Sequence, residues 1–178
     1  MNTYIALFRG INVGGNHSLP MKELAAVLAE LGADHIQTYI QSGNAVFHSA
    51  ESDAGLLSQQ IRAGVNQRCG FAPEVLVLTR ADFEQALADN PFPEPESDPA
   101  ILHLGFLASP PAQVDFEKID RLKAASEQYH LTEHVFYLNA PEGVGRSRLA
   151  AAIERILGVP MTDRNWRTVC KLRDLAAQ

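Results

Sequence analysis

The sequence predicts an α+β protein made of two ferredoxin-like, βαββαβ-type halves packed as one compact unit. Three observations point there. Apolar residues recur with a period of two in short runs and with helical spacing in longer ones. Residues 1–79 carry these runs in the order strand, helix, strand, strand, helix, strand, the split βαβ arrangement. From Ala100 onward, strand, helix, strand, strand, helix follow, an echo of the first half. The halves are placed at residues 1–79 and 80–178. The echo suggests a structural duplication, although no residue-level repeat accompanies it.

Thr3 to Phe8 reads as the first strand, and Gly10 to Leu19 as a loop centred on Gly14-Gly15-Asn16. Pro20 suits a helix start, where its missing N–H costs nothing. Met21, Leu24, Val27, Leu28 and Leu31 then fall at helical spacing, and Gly32 stops the helix. His35 to Gln41 alternates Ile36, Thr38 and Ile40 against Gln37, Tyr39 and Gln41, a strand. Ser42-Gly43-Asn44 turns the chain, and Ala45 to His48 returns as its partner. Leu56, Leu57, Ile61 and Val65 mark a second helix closed by Gly70, and Glu74 to Leu78 a fourth strand. Both sides of the first and fourth strands are apolar. Tyr4, Phe8 and Phe47 therefore read as core, not as a platform for stacking bases.

In the second half Thr79 is placed to cap a helix with Asp82 in its first turn. Pro91, Pro93, Pro95 and Pro99 punctuate a polar connection that resists helix and central strand. Ala100 to Leu107 is a strand, and Phe116, Ile119 and Leu122 mark a helix. Gln128–Leu131 with His134–Leu138 form a hairpin, Leu149–Leu157 a helix ended by Gly158, and Asp163–Ala176 a last helix.

Composition narrows the function. Hydrophobic residues at 46% and charged residues at 20% are ordinary for a folded chain, so disorder is excluded. Apolar runs are too short to span a bilayer, and Met1 to Phe8 reads as a strand, not a signal peptide. The two cysteines, Cys69 and Cys170, are far apart and in no motif, which implies a reducing, cytoplasmic setting and no zinc site. Net charge is −6, against general nucleic-acid binding. The stretch from Gly143 to the end is nevertheless +4 on a body of −10. That stretch either forms a local positive patch or pairs with the acidic body.

Four segments could carry chemistry. In Arg9-Gly10-Ile11-Asn12-Val13-Gly14-Gly15-Asn16, glycines let backbone N–H groups approach an anion, and Arg9 ends a strand. Its spacing is neither a P-loop nor a dinucleotide fingerprint. Gln41-Ser42-Gly43-Asn44 is a hairpin turn that also projects Ser42 and Asn44 beside that loop. In Pro141-Glu142-Gly143-Val144-Gly145-Arg146-Ser147-Arg148, Ser147 caps a helix whose N-terminus could take an anion. In the last helix Arg164, Arg167, Thr168 and Lys171 would share a basic face, with Trp166, Val169 and Leu172 forming a buried stripe. Catalytic constellations are poor. His130 and His134 straddle a hairpin turn, and His35, His48 and His103 are scattered. Only His17, beside the first glycine loop, is placed to act as an acid or base.

Taken together, these segments resemble the bacterial domain-of-unknown-function 1697 family. The resemblance rests on Tyr4 through Gly15, Leu19-Pro20-Met21, Thr38 through Asn44, Gly143 through Leu149 and Arg164 through Val169. It implies a two-part α+β fold with ferredoxin-like halves and supplies no activity. Two positions depart from the family pattern. Asn16-His17-Ser18 stands where members often carry a lysine, and Asp163 where they often carry threonine. Both lower positive charge near the glycine loops.

The leading expectation is a binding protein or enzyme for a small phosphorylated or carboxylated ligand. Its site would join Arg9, Asn12, Gly14, Gly15, Ser42, Asn44, Arg146, Ser147 and Arg164, with arginine forks and glycine N–H groups as donors. Nucleic-acid binding through the basic C-terminal helix and a protein-interaction role are the alternatives. Neither a cofactor nor an oligomeric state follows from the sequence.

Overall fold

The computed structural model describes residues 1–95 and 98–178. They fall into two compact units, one of Met1–Gln85 with Lys171–Gln178 and one of Ala86–Cys170. The polar connection after Pro91 runs through residues 96–97, which lie outside the described residues.

The first unit runs β1 (Asn2–Arg9), α1 (Met21–Glu30), β2 (Asp34–Tyr39), β3 (Asn44–Ser49), α2 (Ala54–Cys69), β4 (Glu74–Thr79), and on into α3 (Arg80–Ala88). Its antiparallel sheet has the order β2-β3-β1-β4. The helices sit where the apolar spacing puts them. Glycines at positive φ follow both, Gly32 after α1 and Gly70 after α2. The Asp53 carboxylate caps α2 through the N–H groups of Gly55 and Leu56. Tyr4, Ala6 and Phe8 of β1 and Phe47 of β3 pack against Leu24 and Leu28 of α1 and Ile61 and Val65 of α2. Burial of each large side chain contributes about 1.5–3 kcal/mol. On the other face Ile5, Leu7 and Val46 are also buried, so the aromatic residues are core, as the alternation predicts. Leu56, one of the apolar residues that mark α2 in the sequence, is exposed.

The second unit runs β5 (Leu102–Leu107), α4 (Phe116–Leu122), β6 (Gln128–Leu131), β7 (Val135–Asn139), α5 (Arg148–Leu157) and β8 (Met161–Asn165), followed by α6 (Trp166–Ala176). A 3-10 turn, Pro99–Ile101, precedes β5, with Asp98 capping it through the Ala100 N–H at 2.9 Å. The predicted strand therefore begins two residues later. The sheet order, β6-β7-β5-β8, repeats that of the first unit strand for strand. Phe136, Leu138 and Leu107 pack against Ile119 of α4 and Leu149, Ile153 and Leu157 of α5.

One element differs from the sequence expectation. Asp163–Ala176 is not a single helix: Met161–Asn165 is strand β8, and the helix begins at Trp166. Residues 161–165 pair with the free edge of β5, Met161 against Leu107 through Asn165 against His103. That ladder outweighs local helix propensity. The Asn165 side chain then accepts the Thr168 N–H at 3.0 Å and starts α6. The second unit thus completes βαββαβ. The expected basic helical face does not form, because Arg164 is on the strand and Thr168 is buried. Trp166, Val169 and Leu172 are buried, as their spacing predicts. Among the described residues no helix is long and apolar enough to cross a membrane.

Candidate functional site

Six of the nine expected site residues lie in the first unit and three in the second. In the first unit two loops meet at one end of the sheet, the β1–α1 loop and the β2–β3 turn. Asn12 joins them. Its Nδ2 donates to the carbonyls of Leu19 at 2.9 Å and Gln41 at 2.7 Å, and its Oδ1 accepts the Leu19 N–H at 2.8 Å. The backbone N–H of Asn12 donates to the His17 carbonyl, closing the loop on itself. At φ +55° Asn12 occupies the left-handed region, which asparagine tolerates better than most residues. Both Nδ2 hydrogens are engaged, so the amide has no donor left for an anion unless it releases the loop.

The turn docks by close approach. The Phe8 N–H donates to the Gly43 carbonyl at 2.9 Å. A Cβ on Gly43 would collide with the Ile11 side chain and lie 2.6 Å from the Phe8 Cβ. Asn44 is fully buried, and its Nδ2 donates to the Tyr39 carbonyl at 3.0 Å and weakly to the Ser42 Oγ at 3.4 Å. Asn44 therefore holds the turn from beneath, while Ser42 is exposed above it. Among the described residues every buried side-chain nitrogen and oxygen has a partner.

The outer surface is a backbone surface. Gly14 and Gly15 both have positive φ and form the centre of a tight turn closed by Asn16 N–H to the Val13 carbonyl at 3.2 Å. Such a pair of left-handed residues defines a type I′ turn, for which glycine is suited. Open space lies above both glycines. Val13 is 68% exposed beside them, and Ile40, in the facing turn, is 47% exposed at φ +50°. A β-branched residue in that region is strained. The sequence offers only a weak sign of it, an isoleucine where a turn residue would serve. His17 is braced, not free: its ring stacks on Phe71 at 4.8 Å and its Nδ1 lies 3.3 Å from the Gly10 carbonyl. Arg9 enters the loop from the end of β1.

In the second unit Ser147 caps α5 as expected, its Oγ accepting the Ala150 N–H at 2.9 Å, and is buried. Arg146 is exposed one residue before it, in the 3-10 turn Val144–Arg146. Arg164 is half-buried on β8 and donates to the Asp163 carbonyl at 2.8 Å. Burial pulls its guanidinium down to about 10, against the pull of Asp163, so it stays charged at neutral pH. Val144, Ala150, Met161 and Asp163 help line a cavity of about 130 Å³ whose walls are otherwise Phe136, Leu138 and Ile153.

A pair missed by sequence reading, buried His103 with exposed Asp163, adjoins that cavity. His103 Nδ1 lies 2.6 Å from the Asp163 carboxylate, and its Nε2 lies 2.8 Å from the Ala100 carbonyl. Both partners are acceptors, so the geometry favours the imidazolium, which donates from both ring nitrogens. Burial pulls its pKa down, but the hydrogen bond and charge of Asp163 and the Ala100 carbonyl outweigh it, and the net shift is upward. With both nitrogens engaged the ring pins β8 to the start of β5 and has no nitrogen left for proton transfer. The two residues are sixty positions apart, and only the strand pairing brings them together.

Two βαββαβ units with one strand order, and a glycine-rich loop pair at one end of the first sheet, define a duplicated ferredoxin-like α+β protein. The chain belongs to the DUF1697 family, a protein family of unknown function, which it matches over residues 1–137. It is similar in structure to a conserved bacterial protein from Streptococcus pneumoniae, with a TM-score of 0.70, 25% sequence identity and 98% of each chain covered. No curated protein matches it. The glycine segment at Gly143 and the segment from Arg164 lie beyond the family match.

Proposed function

We propose that the paired loops of the first unit bind a small phosphorylated or carboxylated ligand. One observation carries this reading. Seven residues in two touching loops, Gly10, Asn12, Gly14, Gly15, His17, Ile40 and Gly43, have left-handed backbone. Strained backbone concentrates at ligand sites, and successive N–H groups in such turns form concavities that take anions. Asn12 and Asn44 build the cradle, the Gly14-Gly15 turn offers main-chain donors, and Arg9 brings positive charge. Neither loop, residues 9–19 nor 40–43, contains an acidic residue. Cys69 and Cys170, neither of them in a disulfide, suit a reducing, cytoplasmic compartment, and the similarity to a bacterial protein supports a bacterial source.

The test is a thermal-shift panel of orthophosphate, sugar phosphates, nucleotides, di- and tricarboxylates and a short oligonucleotide, each at two salt concentrations. Ligand at a hundred times its dissociation constant adds about 2.7 kcal/mol. For a chain of this length that raises the melting point by roughly 5–11 °C. Gly14→Asn keeps a left-handed turn but fills the space above it, and is expected to abolish the shift. Arg9→Gln is expected to reduce it. A shift that survives Gly14→Asn rejects the loop site. A shift confined to the oligonucleotide and erased by salt would assign the protein to nucleic acid instead.

A further inference from the structure

At the far end of the β2–β3 hairpin from the glycine loops, three side chains converge that belong to no part of the ligand site. Asp34 opens β2 and pairs in register with His48 of β3. The next aligned pair is Gln37 with Val46, so three steps on β2 match two on β3. The extra residue is a β-bulge, which re-aims side chains and occurs at sheet edges and beside active sites. β2 is the edge strand of its sheet. His35 absorbs the bulge at φ +47°, a conformation in which histidine is tolerated but uncommon. The result gathers consecutive residues of β2 against a single residue of β3. His35 and His48 rings lie 4.7 Å apart, and His48 Nδ1 is 3.6 Å from the Asp34 carboxylate.

We propose that Asp34, His35 and His48 bind a divalent first-row transition metal. Each offers one ligand atom, and these atoms all lie within 4.8 Å of one another. Ligands on a tetrahedral zinc ion, at about 2.0–2.1 Å from the metal, stand roughly 3.4 Å apart, so small side-chain rotations close the set. Two imidazoles and one carboxylate suit Zn²⁺, Ni²⁺ or Cu²⁺ and not Ca²⁺ or Mg²⁺, which take oxygen. Asp34 and His35 are exposed and His48 half-buried, so the ion has a path in. Three protein ligands leave a coordination position for water or a substrate atom, the pattern of catalytic sites. In sequence the histidines read as scattered because thirteen positions separate them and the bulge that unites them is not written in either strand.

The test uses the full chain, stripped of metal, titrated with Zn²⁺ by calorimetry and with Co²⁺ by visible absorption. One equivalent is expected to bind, with d–d bands from Co²⁺. His48→Gln removes one imidazole. His35→Asn removes the other while keeping a residue suited to positive φ, so the hairpin is preserved, and circular dichroism checks the fold of both. Each is expected to weaken binding by at least about tenfold, the loss that follows even from removing a ligand's outer partner. His134→Gln, at an exposed histidine elsewhere, is expected to change nothing. The absence of heat and bands in excess metal overturns the site. So does full retention of binding in the double variant, which would place the ion elsewhere, for example at Cys69 or Cys170.

Discussion

Gly43→Ala is the sharpest test of how the two loops of the first unit are joined. Gly43 sits at φ +85°, and an added Cβ would meet the Ile11 side chain and lie 2.6 Å from the Phe8 Cβ. Ile11 can rotate, but the Phe8 Cβ belongs to central strand β1 and cannot. Two costs add. An L-residue in the left-handed region costs about 1–2 kcal/mol. Forcing a methyl into a packed site costs about 1–3 kcal/mol more. The sum, about 2–5 kcal/mol, lowers the melting point by roughly 4–20 °C for a chain of this size. Gly14→Ala supplies the control: its φ is +61° and its Cβ would meet open space, so only the backbone cost remains. Its expected loss is about 1–2 kcal/mol, or roughly 2–8 °C. Circular dichroism and urea titration are the right assays, because the one tryptophan, Trp166, belongs to the other unit. Equal losses in the two variants would refute the docking, since the steric cost is what separates them.

Two further outcomes follow from the same bonding patterns. Asn12→Ala removes three side-chain hydrogen bonds and puts alanine at φ +55°; it should cost about 2–4 kcal/mol by urea denaturation, and Asn12→Gly, free of the backbone cost, about 1 kcal/mol less. The raised pKa of His103 means its contribution is complete below its unfolded pKa, about 6.5, and is lost as pH rises through the folded value. Wild type should therefore exceed His103→Gln in melting point most at about pH 6, by the equivalent of about 1.5 kcal/mol, with the gap closing towards alkaline pH; a gap that widens with pH would mean the ring is neutral when buried.

Much of the fold is legible because its signals are local. Gly32, Gly70 and Gly158 lie at positive φ just past three helices, and Asp53 and Ser147 cap two of them. The glycines end helices through a left-handed backbone, and the two caps are side chains answering N–H groups two or three residues on. The alternation of Tyr4, Ala6 and Phe8 with Ile5 and Leu7 likewise states that both sheet faces are buried. Strand β8 was not legible for the opposite reason. Met161–Asn165 carries no strong alternation, and what makes it a strand is the free edge of β5, nearly sixty residues away.

The candidate sites divide along the same line. The glycine loops are legible as a place where unusual backbone gathers, since glycine itself is the signal. The roles within them are not legible, because an asparagine that binds a ligand and one that latches a loop look identical in a sequence. Asn12 and Asn44 turn out to bond to main chain on several sides. The histidine pairings are not legible either. His103, His35 and His48 look scattered, yet strand pairing brings Asp163 diagonally within reach of His103 and sets His48 opposite Asp34. In a duplicated antiparallel sheet, chemistry that spans strands is encoded in pairing, and pairing is a property of the whole unit. The loop site and the hairpin cluster therefore need different evidence: point changes that spare the backbone test the first, and metal titration tests the second.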